Sequence, residues 1–251
     1  MQVKHQQWKG IPLLHVYNEQ MNAQTPIVIF LHGFMSAKEH NLHYAYNLVQ
    51  RGVRVILPEA YLHGERDEGM PEAQMSLMFW QIVMTSIGEV GALKAELEER
   101  GFTGPVAIAG TSMGGITTTG CLTTYNWVKT AAVLMGAVSF PQFLDFQFEG
   151  LRKDGVKLPL SDAQIAEVQS LLAPYDGYAH ASMLTKIPVY MWHGARDQTV
   201  PITMTEPFVE YLSEQGLAHQ ITYVKDLKAG HAVSRKGLLA CIDFLAQHLG
   251  E

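Results

Sequence analysis

Cysteine is scarce in this 251-residue chain, where Cys121 and Cys241 are the only two. Both lie in apolar segments of helical character without metal-ligand spacing, which argues against a disulfide framework and for small buried core residues. Charge of one sign is also thin. The net charge is −6, charged residues make up 17% of the chain, and no run of Lys or Arg exceeds two, so the footprint of a nucleic-acid-binding protein is missing. Long hydrophobic runs are missing as well. No stretch approaches the ~18 apolar residues of a membrane span, and the first eight residues lack the apolar core of a signal peptide. A cytoplasmic protein that does not enter membranes is expected. No H-E-x-x-H pair occurs, and His40 and His43 beside Glu39 read as the polar start of a helix. Neither a metal nor a cofactor is expected, and there is no internal repeat or low-complexity tract.

What is present is ample apolar material, 47% of the residues, in an order that speaks for one α/β domain over residues 1–251. Short apolar runs alternate with amphipathic stretches, the pattern of a mostly parallel sheet with helices on both faces. The spacing predicts a hairpin of Val3–Trp8 and Leu13–Tyr17 turned at residues 9–12. Strands are expected at Ile27–Leu31, Val53–Leu57, Ala131–Val138, Val189–His193 and Gln220–Val224. Helices are expected near Asn41–Arg51, over Glu72–Arg100 with a break near Gly88–Gly91, near Thr203–Gln215, and over Ala232–Leu249. About fifty residues separate two of these strands, more than an ordinary connection. Residues 140–186 therefore read as a small helical cap insertion, with a capped helix from Ser161 or Asp162 to Leu172. Phe143, Phe146 and Phe148 are its candidate acyl-pocket residues, and they could equally anchor the insertion to the core. Methionines between Met70 and Met84 serve as core filler or pocket lining.

The most informative segment is Val106-Ala107-Ile108-Ala109-Gly110-Thr111-Ser112-Met113-Gly114-Gly115. It reads as a buried strand that turns sharply at a serine and enters a helix, with helix-compatible residues from Ile116 to Trp127. A serine on such a turn has a strained backbone, so the residues two positions either side must be small for strand and helix to approach. Gly110 and Gly114 meet that demand. The turn lifts the Ser112 hydroxyl above the sheet, and the helix beginning near Met113 aims unpaired N–H groups at the same spot.

A serine hydroxyl needs a base within hydrogen-bond reach, and histidine can accept and return its proton. In sheets of this kind reactive groups gather at the carboxyl ends of strands. His231, in Gly230-His231 after a late strand, is the candidate base, ahead of His32, His63 and His193. The imidazole needs a carboxylate to hold its tautomer. Asp197, just after the strand ending at His193, is the candidate, with Asp145 its competitor. The chain order Ser112, Asp197, His231 is nucleophile, acid, base. For the oxyanion, Met113 N–H is one candidate donor, and Phe34 N–H in His32-Gly33-Phe34 is the other. His32 is expected to brace that loop.

The chain resembles the α/β-hydrolase superfamily, and within it small bacterial carboxylesterases related to the prolyl-oligopeptidase and dienelactone-hydrolase branches. The resemblance rests on His32-Gly33-Phe34, Pro58-Glu59-Ala60 with His63-Gly64-Glu65-Arg66, Gly110-x-Ser112-x-Gly114-Gly115, His193-Gly194-x-x-Asp197-x-x-Val200-Pro201, and Gly230-His231. Dienelactone hydrolases carry cysteine where Ser112 stands, and the oligopeptidase propeller has no counterpart here. The resemblance implies cofactor-free hydrolysis of a small-molecule ester. The expected activity is that of a serine carboxylesterase on short- to medium-chain acyl esters. The alternatives are a thioesterase or aminoacyl peptidase using the same triad, or a non-catalytic binding protein on a hydrolase scaffold.

Overall fold

Lys9 and Gly10, at φ 50° and 81°, close a two-residue turn between β1 (Gln2–Trp8) and β2 (Ile11–Tyr17). Positive φ at both turn positions matches the twist of a tight hairpin. The turn is therefore shorter than the four residues expected, and Ile11 and Pro12 join the strand opposite Trp8 and Gln7. The computed structural model describes residues 1–153 and 161–250.

The chain continues through β3 (Ile27–Leu31), α1 (Leu42–Gln50), β4 (Arg54–Pro58), α2 (Glu72–Leu77), α3 (Phe79–Glu99), β5 (Val106–Thr111), α4 (Met113–Thr124) and β6 (Val128–Leu134). Then come α5 (Phe140–Lys153), α6 (Asp162–Leu172), α7 (Ala181–Leu184), β7 (Val189–Gly194), α8 (Glu206–Glu214), β8 (Ile221–Asp226) and α9 (Arg235–Gly250). The strands form one sheet in the order β1-β2-β4-β3-β5-β6-β7-β8. The pairs β1/β2 and β2/β4 are antiparallel and the other pairs parallel.

Both faces of the central strands are buried, so their side chains serve two cores alternately. Ile27, Ile29, Val106 and Ile108 join the core under α3, α4 and α5, while Val28, Phe30, Ala107 and Ala109 join the one under α1 and α9. That double burial explains the continuous apolar runs of β3 and β5. No helix of the described residues is long and apolar enough to cross a membrane.

Three expectations are corrected. The stretch 72–100 breaks at Met78, between α2 and α3, rather than at Gly88–Gly91. Gly91 is instead a packing position. A Cβ there would strike the ring of Tyr125, whose hydroxyl donates to the Ile87 carbonyl at 2.7 Å. That bond belongs to the chain leaving α4, which ends at Thr124, short of Trp127. β6 starts earlier than expected and stops at Leu134, because Met135 takes φ 46° and turns the chain off the sheet. Of the segment 140–186, α5, α6 and α7 are observed, with Ser161 capping α6 through a reciprocal capping box with Gln164. Residues 154–160 of that segment lie outside the described residues.

Candidate active site

Ser112 stands between β5 and α4 at φ 55° and ψ −118°, a conformation that costs a non-glycine residue of order 1–3 kcal/mol. Its N–H donates to the Leu134 carbonyl at 2.9 Å and its carbonyl accepts from Ile116 N–H at 2.9 Å, which holds the turn between sheet and helix. A Cβ on Gly110 would run into the backbone of Gly114, and one on Gly114 into the carbonyls of Leu31 and His32. The glycines are thus required by close backbone approach on both sides of the elbow.

The strand ends bring three distant residues together. His231 Nε2 lies 2.8 Å from Ser112 Oγ, and His231 Nδ1 lies 2.7 Å from Asp197 Oδ2. Because the carboxylate can only accept, Nδ1 carries the proton and Nε2 is left to accept from the serine hydroxyl. The other Asp197 oxygen accepts N–H groups of Thr199 at 2.9 Å and Val200 at 3.0 Å. The Asp197 side chain is fully buried while that of His231 is 24% exposed, so the imidazole is reachable from solvent and the carboxylate is not. Burial alone would push the Asp197 carboxyl up, but His193, His231 and the Val200 N–H outweigh it and hold the group well below the usual carboxylate range. The two loops are tied together by Arg196 N–H to Ala229 O at 3.0 Å, and Gly194 leaves room for the Ala229 and Gly230 carbonyls.

The loop after β3 lies against the serine. A Cβ on Gly33 would stand 3.4 Å from that of Ser112, and Phe34 borders the same cavity as Ser112. Met113, first residue of α4, has an N–H without a partner inside the helix. Two histidines fix the loop. His32 Nδ1–H donates to the Gly33 carbonyl at 2.8 Å, and His63 Nε2 accepts Met35 N–H at 3.0 Å. Burial holds the His63 pKa below its ordinary value, in keeping with a ring nitrogen that accepts. Behind the loop, Glu59 is fully buried against His32 and Lys38. Burial by itself would raise its pKa, but the His32 ring and the Lys38 ammonium bring it down to about 2.

The other candidates have different posts. His193 is buried and donates Nε2–H to the Val200 carbonyl at 2.8 Å, with the same nitrogen 3.6 Å from the Asp197 oxygen that faces His231. Asp145 is exposed and accepts from Gln169 at 2.8 Å. Phe143 lines the cavity that holds Ser112, about 210 Å³ in volume, whereas Phe146 and Phe148 line a neighbouring space. Of the methionines between 70 and 84, Met75 is core and Met84 lines that second space. Sequence reasoning did not single out Phe79, Gln147, Thr199 and Val200 as walls of the serine cavity. Gln147 carried a usable signal, being four residues beyond Phe143 on the same helix face.

A sequence model of the prolyl oligopeptidase family matches residues 92–251. YitV of Bacillus subtilis (strain 168), named as a candidate esterase, is 37% identical, with 99% of this chain and all of that protein covered. Esterase YjfP of Escherichia coli (strain K12) is 30% identical over 99% of this chain and all of its own length. Among solved structures, TT1662 from Thermus thermophilus superposes with a TM-score of 0.77 at 20% identity, covering both chains completely. Est1E from Butyrivibrio proteoclasticus, solved with ferulic acid bound, superposes with a TM-score of 0.70 at 17% identity, covering 99% of this chain and all of that one. The likeness to these structures, taken with the sheet order, gives the α/β-hydrolase fold.

Proposed function

Because the chain belongs to the prolyl oligopeptidase family and is a serine-type esterase, we propose that it hydrolyses short- to medium-chain acyl esters of small molecules through an acyl-enzyme on Ser112. His231 takes the Ser112 proton as Oγ attacks the ester carbonyl, then passes it to the leaving alcohol oxygen. Water enters by the same route in reverse and releases the acid. Asp197 holds the Nδ1–H tautomer and stabilises the imidazolium that forms in each step. The N–H groups of Met113 and Phe34 receive the oxyanion, each worth roughly 2.7–4 kcal/mol of transition-state stabilisation in sites of this kind. Phe143 walls the acyl pocket. The helices of 140–186 act as a small cap over it, and the reaction is placed in the cytoplasm, in keeping with two free buried thiols.

The observation that carries this reading is the pair of hydrogen bonds from Ser112 Oγ to His231 Nε2 at 2.8 Å and from His231 Nδ1 to Asp197 Oδ2 at 2.7 Å. The test is Ser112→Ala assayed on p-nitrophenyl butyrate, beside the matched thioester and an aminoacyl amide. The wild type should prefer the oxygen ester and the variant should lose turnover. Full turnover by the variant would refute the acyl-enzyme.

A further inference from the structure

Two spaces lie side by side beneath α5. The first, about 210 Å³, holds Ser112 and is walled by Phe79 and Phe143. The second, about 580 Å³, is lined by Trp80, Met84, Phe146, Phe148, Leu151 and Leu171, between α3 and the α5–α6 pair. Ser76 and Gln147 stand on the walls of both. The partition is aromatic. Phe79 and Trp80, adjacent in sequence, line different spaces, and the Phe143 ring lies 5.9 Å from the first and 6.2 Å from the second. Trp80 is 7% exposed, and its Nε1–H donates to Gln147 Oε1 at 2.9 Å, so one rotatable amide closes the partition.

Among the described residues the apolar space is open to solvent along one side. Seven large hydrophobic side chains of the described residues are exposed, and two of them, Leu77 at 52% and Leu171 at 55%, line this groove. Scattered single exposures need no account, but a contiguous apolar trough beside a reactive serine does. The serine cavity has well under half the volume of its apolar neighbour, room for the short part of an ester. A longer arm must leave it, and the wall shared through Ser76 and Gln147 adjoins space of matching chemistry.

We propose that the groove binds an alkyl arm of about eight to twelve carbons, the medium-chain end of the proposed substrates, and that Gln147 is the passage by which the arm leaves the serine cavity. The inference rests on the acyl-enzyme reading of Ser112 and deepens it by naming the substrate class. Phe146 and Phe148 then contact the far part of the arm, while Phe143 contacts the part next to the reacting carbonyl. Gln147 determines specificity, since turning its amide away from Trp80 opens the partition and keeping it in place confines the substrate to short chains.

The test is the ratio of kcat/KM for a p-nitrophenyl dodecanoate to that for the acetate, measured within each protein below the aggregation limit of the long ester. Gly150→Trp and Leu171→Trp fill the groove from two helices. A Cβ on Gly150 meets nothing within 4 Å and Leu171 is exposed, so neither change strains the fold. Each should lower the ratio tenfold or more, and Gln147→Ala should raise it. A second series, butyrate esters of alcohols from ethanol to dodecanol, tells which side of the ester carries the arm. If the fall is confined to the first series the acyl chain occupies the groove, and if it is confined to the second the alcohol does. Ratios unchanged in both series for both tryptophan variants would overturn the groove, and an unmoved ratio in Gln147→Ala would overturn the passage. Either result, with Ser112→Ala inactive on acetate, leaves the acyl-enzyme standing. Acetate turnover surviving in Ser112→Ala would instead strike the reading beneath.

Discussion

Lys38 Nζ lies 2.7 Å from Glu59 Oε2 in an ion pair whose side chains are 1% and 0% exposed, set directly behind the loop that carries Gly33 and Phe34. The Lys38 N–H also donates to Glu59 Oε1 at 3.1 Å, so the pair clamps the backbone as well as the charge. Removing one partner of a buried pair leaves the other charge unpaired, which costs about 3–5 kcal/mol. Glu39 and Glu65 still face Lys38, so Glu59→Gln should lose about 3 kcal/mol, the lower end of that range. The midpoint of urea unfolding, read with the slope, measures it.

The same carboxylate sets an acid limit. Its folded pKa of about 2 lies below the unfolded value of ~4.3, so the native state binds fewer protons than the unfolded chain between these values. Its contribution is complete above ~4.3 and is lost as pH falls toward 2, to the extent of roughly 3 kcal/mol. Unfolding free energy measured between pH 5 and 2 should fall with a slope that flattens in Glu59→Gln. An identical slope in both proteins would show that other carboxylates govern acid unfolding.

Two glycines of α3 should respond oppositely to alanine. A Cβ at Gly88 meets nothing within 4 Å, so Gly88→Ala should gain about 0.5–1 kcal/mol of helix propensity. At Gly91 the added methyl meets the Tyr125 ring and disturbs its hydrogen bond to Ile87, so Gly91→Ala should lower stability despite the same gain in propensity. Thermal unfolding of the two variants side by side decides the matter.

Strain at the elbow predicts a trade between stability and function. Ser112 at φ 55° occupies a region that glycine enters freely. Ser112→Gly should relieve the strain and gain about 1 kcal/mol, net of the extra freedom that glycine confers on the unfolded chain, while losing ester turnover. Ser112→Ala keeps the strain and should lose turnover without the gain. Equal stability of the two variants would show that the backbone there is unstrained.

The parts of this fold that could be read from sequence are those whose physics is local. β3 runs over Ile27–Leu31 as its unbroken apolar run predicts, because both faces of that strand are buried. The turn at Ser112 was legible because only small residues fit at 110 and 114, and the meeting of His231 and Asp197 beside it because both follow the ends of parallel strands. What escaped depends on how elements lie over one another. Nothing in the sequence around Lys38 marks it for burial, which follows from a carboxylate twenty-one positions away. Phe143, Phe146 and Phe148 read as one aromatic cluster. Five positions at 100° each turn Phe148 roughly 140° away from Phe143 around α5, and so they line different spaces. The break at Met78 likewise has no glycine or proline at the site to announce it.

Ester hydrolysis by the proposed route requires Ser112 to be the residue that takes up the acyl group. Incubating the wild-type protein with a fluorophosphonate and mapping the adduct by peptide mass spectrometry tests this directly. A single phosphonyl group on Ser112, appearing in step with loss of esterase activity and far more slowly in His231→Ala, is the predicted result. An adduct on another residue that abolishes activity, or full activity with Ser112 modified, would contradict it.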